Sequence, residues 1–192
     1  MKKRKKNPNR IPLPRTDIDV RQLTGEIAEE IVMLAWLEVL GALADFQDMS
    51  QERIWKLWKD INRTAGKAHL STDVEQWIHE VEEVAGIHLP YSKLNSATIS
   101  TQGELNRYKR KTEQNALTSA YAIIAHPILE EELLSKEETG RLFRKAHGLN
   151  QELEEKRICK TDIIGILKEE LSLTLEIEES GIKLVRIKTG EG

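Results

Sequence analysis

Hydrophobic positions along most of this chain recur every three or four residues, which is the spacing of amphipathic helices. One stretch departs from that pattern. Residues 31–44 are apolar on nearly every side of a helix, and only Glu38 interrupts them. Because a helix that is apolar all round must be buried all round, the stretch predicts either the central helix of a bundle or an interface with another chain.

Capping residues predict where the helices begin. A Ser or Thr just before an apolar-periodic run satisfies the first free N–H groups of a helix. The predicted starts are Thr16, Ser50, Thr72, Ser135 and Thr161, and a further long helix starts at about Glu104. Gly86 is placed to end the third helix, and Pro127 is expected to end or kink the fourth.

The period changes from helical to alternating near the end of the chain. Leu173, Leu175 and Ile177 alternate with polar residues, residues 179–181 form a turn signal, and a second short apolar run follows. This pattern predicts a β-hairpin.

The two halves of the chain resemble each other. A shift of 85 residues, which a four-residue insertion changes to 89, aligns caps and aromatic positions in the same order. The aligned pairs are Trp36 with Tyr121, Ser50 with Ser135, Trp58 with Phe143, and Thr72 with Thr161. A repeated three-helix module explains this order economically. The alternative is chance likeness between amphipathic helices with similar caps.

The predicted fold class is therefore mainly α, with two tandem three-helix modules and a small C-terminal hairpin. Residues 1–15 form a basic arm and 16–89 the first module. A linker at 90–103 leads to the second module at 104–172, and residues 173–192 form the hairpin and tail.

Charge is distributed unevenly. Residues 1–15 carry seven basic side chains and no acid, leaving 22 of the 29 basic residues against all 32 acidic ones. A second basic cluster surrounds a tyrosine at 107–111. Both regions are candidate nucleic-acid contacts; the alternatives are a solvated tail and a solvated helix end. The candidate residues are Lys2, Lys3, Arg4, Lys5, Lys6, Arg10, Arg15, Arg107, Tyr108, Lys109, Arg110 and Lys111.

Motifs for chemistry are missing from the sequence. Cys159 is the only cysteine, the five histidines form no His-x3-His pair, and no phosphate-binding or nucleophile-elbow motif occurs. We therefore expect no enzyme activity, no cofactor and no metal. The basic start lacks the apolar segment of a signal peptide, and 31–44 is too short to span a bilayer, so we expect a cytoplasmic protein.

The apolar stretch also supplies a candidate protein interface. Glu38 is either a polar anchor in a partner or ligand pocket or an edge residue of an imperfect stripe. Trp55 lies one step off the apolar stripe of its helix, whereas Trp36, Trp58 and Trp77 lie on apolar faces and should be buried. The candidate interface residues are Leu34, Leu37, Glu38, Leu40, Leu43 and Trp55.

Residues 8–89 resemble a group of small helical accessory proteins encoded by prophages of Gram-positive bacteria. The matching positions are Arg10, Pro12, Asp19, Val20, Trp36, Trp58, Asn62, Gly86 and Ile87. The resemblance implies a phage accessory protein without an assigned activity or site residues. We therefore expect a non-enzymatic protein that acts through helical surfaces. These surfaces would bind either a protein partner, namely a host or defence component, or a second copy of the chain. The alternative is a nucleic-acid-binding protein that uses its basic arm and cluster.

Overall fold

A computed structural model describes residues 13–14, 16–46, 49–68, 74–92, 99–178 and 181–186. These ranges are mainly helical, as the sequence predicts. The helices are α1 (Asp17–Ala44), α2 (Gln51–Ala68), α3 (Val74–Ala85), α4 (Gln102–Glu130), α5 (Lys136–Glu154) and α6 (Lys160–Leu171). Two strands follow, β1 (Leu173–Glu178) and β2 (Gly181–Arg186). No helix in the described ranges is long and apolar enough to cross a membrane.

Reciprocal side-chain caps start three of the helices. The hydroxyl of Thr16 accepts from the Asp19 N–H at 3.1 Å, and the Asp19 carboxylate accepts from the Thr16 N–H at 2.9 Å. The same arrangement starts α4 at Thr101 and α5 at Ser135. Each cap satisfies N–H groups that have no partner inside the helix.

One predicted helix start is wrong, and Pro127 does not end its helix. The start of α6 lies before Thr161, because the Asp162 carboxylate accepts from the N–H of Cys159 at 2.7 Å, which makes Cys159 the N-cap, two residues before the predicted one. Helix α4 continues through Pro127 to Glu130. Proline removes one backbone hydrogen bond from a helix, and the burial of Pro127 and Ile128 in the core offsets that loss. Gly86, by contrast, follows α3 with a φ of +63° as predicted.

The long helices α1 and α4 pack against each other at the centre, and each also packs against the shorter helices of the other half. Helix α1 contacts α5 and α6, whereas α4 contacts α2 and α3. The segment between the halves is fastened to α4, since Asn115 donates to the Ser92 carbonyl at 2.6 Å and accepts from its N–H at 3.1 Å. The two predicted modules therefore share one hydrophobic core.

Two glycines allow close contacts between helices in this core. A Cβ at Gly41 of α1 would lie 2.6 Å from Cγ2 of Ile163 in α6, and one at Gly140 of α5 would meet the carbonyl oxygen of Val84 in α3. Any larger residue at these two positions would push the helices apart.

The burial of the aromatic residues confirms the prediction made from their faces. Trp36, Trp58 and Trp77 are buried, and Trp55 is partly exposed. The rings of Trp36 and Trp58 pack with centroids 4.3 Å apart, and Trp77 stacks on His126 at 4.1 Å.

The two strands pair antiparallel, with Leu173 opposite Arg186 and Ile177 opposite Ile182. Strand β1 leaves α6 through Ser172, which has a left-handed backbone conformation. Leu173 is fully buried at the edge of the helical core, so the start of β1 is tied to that core.

Candidate functional site

A groove of about 1220 Å³ opens between α4, α5 and the start of α6. The face of α4 from Asn106 to Thr118 forms one wall. The other wall consists of the C-terminal half of α5 and the turn that joins it to α6, and Ile31 and Leu34 from the middle of α1 lie at the bottom. Two other concave surfaces, near Phe46 and near His88, enclose about 480 and 320 Å³, so this larger groove is the candidate for a site.

The bottom of the groove is apolar. Ile31 and Leu34 come from α1, Leu117 from α4, Leu153 from α5 and Ile158 from the turn. All five side chains are half-buried, and most of them also pack against the hydrophobic core. The groove therefore offers apolar surface that the chain itself does not cover.

Basic side chains line both rims. Lys109 and Arg110 project from α4, and Lys156, Arg157 and Lys160 stand on the opposite side. Arg157 pairs with Glu155 at 2.8 Å and Lys160 with Glu30 at 3.3 Å. In contrast, the salt bridges of the described residues leave three of the rim cations unpaired, namely Lys109, Arg110 and Lys156.

Acidic side chains are also present at the groove, as Glu113, Glu154 and Asp162. The Asp162 carboxylate accepts from the N–H and the thiol of Cys159, and these hydrogen bonds lower its pKa. Asp162 is thus engaged in the cap of α6, which leaves a surplus of positive charge along the rims.

The turn between α5 and α6 has an uncommon backbone at Lys156. Its N–H donates to the Leu153 carbonyl at 3.1 Å, and the next N–H, that of Arg157, donates to the Glu152 carbonyl at 2.9 Å. This pair of bonds is the helix ending that usually places glycine in the left-handed region. Lys156 occupies that place with a φ of +58°. A lysine is therefore held at the rim in a conformation that disfavours side chains.

A buried acid lies beneath the groove. Glu38 is fully buried and accepts hydrogen bonds from the hydroxyl of Tyr121 at 2.5 Å and from the amide of Asn150 at 2.9 Å. Burial raises the pKa of Glu38 from 4.5 to about 7, against the lowering effect of both hydrogen bonds. Asn150 also lines the groove, so a single side chain separates the Glu38 carboxyl group from the groove.

The predicted interface on α1 is largely wrong as a surface. Leu37, Glu38, Leu40 and Leu43 are buried inside the chain, because α4, α5 and α6 cover the helix on all sides. Leu34 alone of the α1 set reaches the groove, where it is half-buried.

Trp55, the remaining predicted interface residue, lies on α2 away from the groove. It is half-buried against the core, and the Lys59 ammonium lies 5.4 Å from its ring centroid.

The predicted basic cluster divides into parts with different surroundings. Lys109 and Arg110 line the groove, whereas Arg107 and Lys111 are exposed outside it. The hydroxyl of Tyr108 bonds that of Thr24 at 2.7 Å and ties α4 to α1.

The basic residues of the arm lie outside the described residues. They are Lys2, Lys3, Arg4, Lys5, Lys6, Arg10 and Arg15. Their contribution to binding remains a prediction.

The chain matches no protein-family model. It also matches no curated protein and no solved structure.

Histidines pair with acids at the surface near α3. Glu82 accepts from the N–H of Leu89 at 2.7 Å and contacts the ring nitrogen of His88 at 2.8 Å, which together lower its pKa. His126 lies 3.2 Å from Glu130. Over the described ranges no three such side chains converge in a way that would hold a metal ion.

Sequence reasoning missed the groove because its parts come from distant segments. Lys109 and Arg110 were signalled by their cluster, and Leu34 by its apolar stretch. Lys156 and Ile158 carry no motif, and only the packing of α6 against α1 brings them opposite α4.

Proposed function

We propose that this chain is a non-enzymatic, cytoplasmic, phage-type accessory protein that binds a protein partner through the groove between α4 and the α5–α6 turn. One observation carries the proposal: an apolar bottom and unpaired rim cations occupy the same open groove. Interfaces in general combine an apolar centre with a polar rim. The phage origin rests on the resemblance over residues 8–89.

The surroundings of Cys159 support binding rather than nucleophilic chemistry at this groove. Its thiol lies 2.8 Å from the Thr161 hydroxyl and donates to Asp162 at 2.9 Å. Those contacts belong to the first turn of α6. The thiol is thus engaged with two polar side chains of that turn.

Nucleic-acid binding is the second candidate. The observation that favours it is the pair Lys109 and Arg110 on an exposed face of α4, to which the basic arm would add charge. Two features speak against it: Tyr108, the aromatic residue of the cluster, is bonded to Thr24, and Glu113 lies one turn further along α4.

We also propose that the helical body arose by internal duplication, followed by the C-terminal hairpin. The aligned aromatic positions support this, because Trp36 contacts Trp58 in the first half and Tyr121 contacts Phe143 in the second, with centroids 4.3 and 5.7 Å apart. An acidic residue at the C-terminal end of each long helix forms an ion pair with a basic residue of the other half. Those ion pairs are Asp45 with Lys145, and Glu131 with Arg63.

Affinity capture from bacterial lysate, followed by mass spectrometry, tests the protein-binding function. The full chain is compared with the charge-reversed double variant Lys109→Glu/Arg110→Glu. The matched control is Arg107→Glu/Lys111→Glu, which makes the same charge change on the same helix outside the groove.

We expect a protein that the wild type and the control retain and the groove variant loses. Retention should change little between about 50 and 200 mM salt, whereas phosphate contacts would lose orders of magnitude in affinity over that range. Capture of nucleic acid alone, lost equally by both variants, would support the second candidate instead.

A further inference from the structure

The occupant of the groove can be described more closely if the proposed function holds. We propose that the groove receives an amphipathic α-helix of the partner protein, with an apolar stripe on one face and acidic side chains on both flanks of that stripe. The size of the groove, its apolar bottom and the placement of its charges support this occupant.

The length of the groove suits a short helix. The wall formed by α4 runs from Asn106 to Thr118, which is roughly 18 Å at 1.5 Å per residue, or a little over three helical turns. The apolar bottom lies below that wall along α1 and the α5–α6 turn. Helix-in-groove recognition uses apolar anchors at spacings of three, four and seven residues, which span such a length.

The volume of the groove argues against a small molecule. At about 1220 Å³ it exceeds the roughly 300–1,000 Å³ that is usual for small-ligand pockets. A segment of a macromolecule fills such a space and leaves the rims in contact with solvent.

The placement of the unpaired cations indicates acidic flanks on both sides. Lys109 and Arg110 stand on the α4 rim and Lys156 on the opposite rim. A helix lying between them would present one flank to each. Complementary charges of this kind set the orientation and specificity of docking.

The backbone at Lys156 adds an independent observation. A glycine would occupy its left-handed conformation without cost, whereas a side chain is disfavoured there. A strained position at the rim of a groove is a recognised mark of function. Glu132 and Ser172 share this conformation at the ends of α4 and α6, so it is the place of Lys156 at the groove, together with its backbone, that supports a role in binding.

The chemistry of the groove favours a peptide over a nucleic acid. Single-stranded nucleic acids stack mainly on the rings of Phe, Tyr and Trp, and among the described residues none of these three lines this groove. Glu113 and Glu154 on the rims would repel phosphates, whereas a peptide can place its own cations or polar groups beside them.

One buried polar atom in the wall of the groove has no hydrogen-bond partner among the described residues. Nδ1 of His147 is buried and makes no hydrogen bond within the described part of the chain. His147 lines the groove beside Gln151, whose amide lies 3.2 Å from the other ring nitrogen. A buried polar atom without a partner costs free energy, so the wall of the groove at His147 carries an unsatisfied polar group.

A random peptide library tests the occupant directly. The immobilised full chain selects from displayed random peptides of about 16 residues, long enough for the three turns that the groove spans. We expect the selected peptides to share apolar residues at helical spacing with Asp or Glu on both flanks. Selected peptides that lack either feature would overturn the proposal.

Variants then locate the binding. Lys109→Glu/Arg110→Glu should weaken the selected peptides about tenfold or more, and Arg107→Glu/Lys111→Glu should change their affinity by less than about twofold. Lys156→Gly should also weaken them while the chain stays folded, because glycine suits the left-handed backbone at that position. Equal losses in both double variants, or no loss with Lys156→Gly, would contradict docking in the groove.

The failure of this inference can be told apart from failure of the proposed function. Peptides of another chemistry, or peptides that bind elsewhere, overturn the acidic helix and leave protein binding intact. A library that yields no binder also overturns it, while lysate capture decides the proposed function separately. Displacement of selected peptides by a single-stranded oligonucleotide of random sequence, with equal sensitivity to both double variants, would overturn both.

Discussion

Tyr121 donates its hydroxyl proton to the carboxylate of Glu38 at 2.5 Å, across the contact between the two long helices. Asn150 of α5 donates to the other carboxylate oxygen at 2.9 Å. One acid therefore ties three helices together at the centre of the core. Both oxygens of the acid that interrupts the apolar stretch of α1 are hydrogen-bonded, as burial of a polar group requires.

The raised pKa of Glu38 predicts an unusual dependence of stability on pH. The pKa is 4.5 without burial and about 7 in the fold, so the folded state holds a proton that the unfolded state has lost between these values. The free energy of unfolding should fall as pH rises from 4.5 to 7, by about 3 kcal/mol, and then level off. Urea denaturation across pH 4.5 to 8 measures this slope.

Glu38→Gln is the variant that assigns the slope, because it keeps the shape of the side chain and cannot ionise. Its stability should vary much less between pH 4.5 and 7 than that of the wild type. Other carboxyl groups act in the opposite direction and at lower pH, since hydrogen bonds lower the pKa of Glu82, Glu104 and Glu138. A slope between pH 4.5 and 7 that survives in the variant would show that another group causes it.

Two glycines of α5 should respond in opposite ways to alanine. A Cβ at Gly140 would meet the carbonyl oxygen of Val84, which belongs to the backbone of α3 and cannot easily move. Gly140→Ala should therefore destabilise the fold by about 1–3 kcal/mol. Nothing lies within 4 Å of a Cβ at Gly148, so Gly148→Ala should stabilise it by about 0.5–1 kcal/mol. Thermal unfolding measures both, and equal effects would rule out the close contact of α3 and α5.

Sequence periodicity predicted the helices well because the signals for each helix lie within its own segment. Caps such as Ser135, the positive-φ position at Gly86 and the apolar stripes are all local signals. The burial of the tryptophans followed from the same stripes. Local signals failed at Thr161, because the Asp162 carboxylate caps α6 at Cys159. Of the two alternatives predicted for Pro127, the end of the helix does not occur there.

The arrangement of the helices could not be read in the same way. An all-apolar helix predicts burial but does not distinguish burial by the same chain from burial by another. In this fold α4, α5 and α6 cover α1, so Leu37, Leu40 and Leu43 became core. The groove is likewise a product of packing, because Lys156 acquires its role only when α6 lies against α1.

Two leucines of α1 test whether this helix is buried by its own chain. Leu40 is 1% exposed, and Leu40→Ala should cost about 2–5 kcal/mol of stability. Leu34 is half-buried in the groove, and Leu34→Ala should cost about 1 kcal/mol or less. Chemical denaturation measures both, with light scattering to follow the oligomeric state. A dimer that Leu40→Ala converts into a stable monomer would restore the interface on α1.

Lys156 should limit the stability of the turn it occupies. Its φ of +58° costs an L-residue roughly 1–2 kcal/mol relative to the usual backbone conformations, and glycine avoids that cost. Lys156→Gly should therefore raise the free energy of unfolding. The gain should be about 1 kcal/mol at most, because glycine also loses more conformational entropy on folding than lysine does. Lys156→Ala is the matched control, since it removes the same ammonium group and keeps the Cβ. Equal stabilisation by alanine and glycine would show that charge, and not the backbone conformation, limits stability at this turn. Lys156 would then occupy its position without a conformational cost.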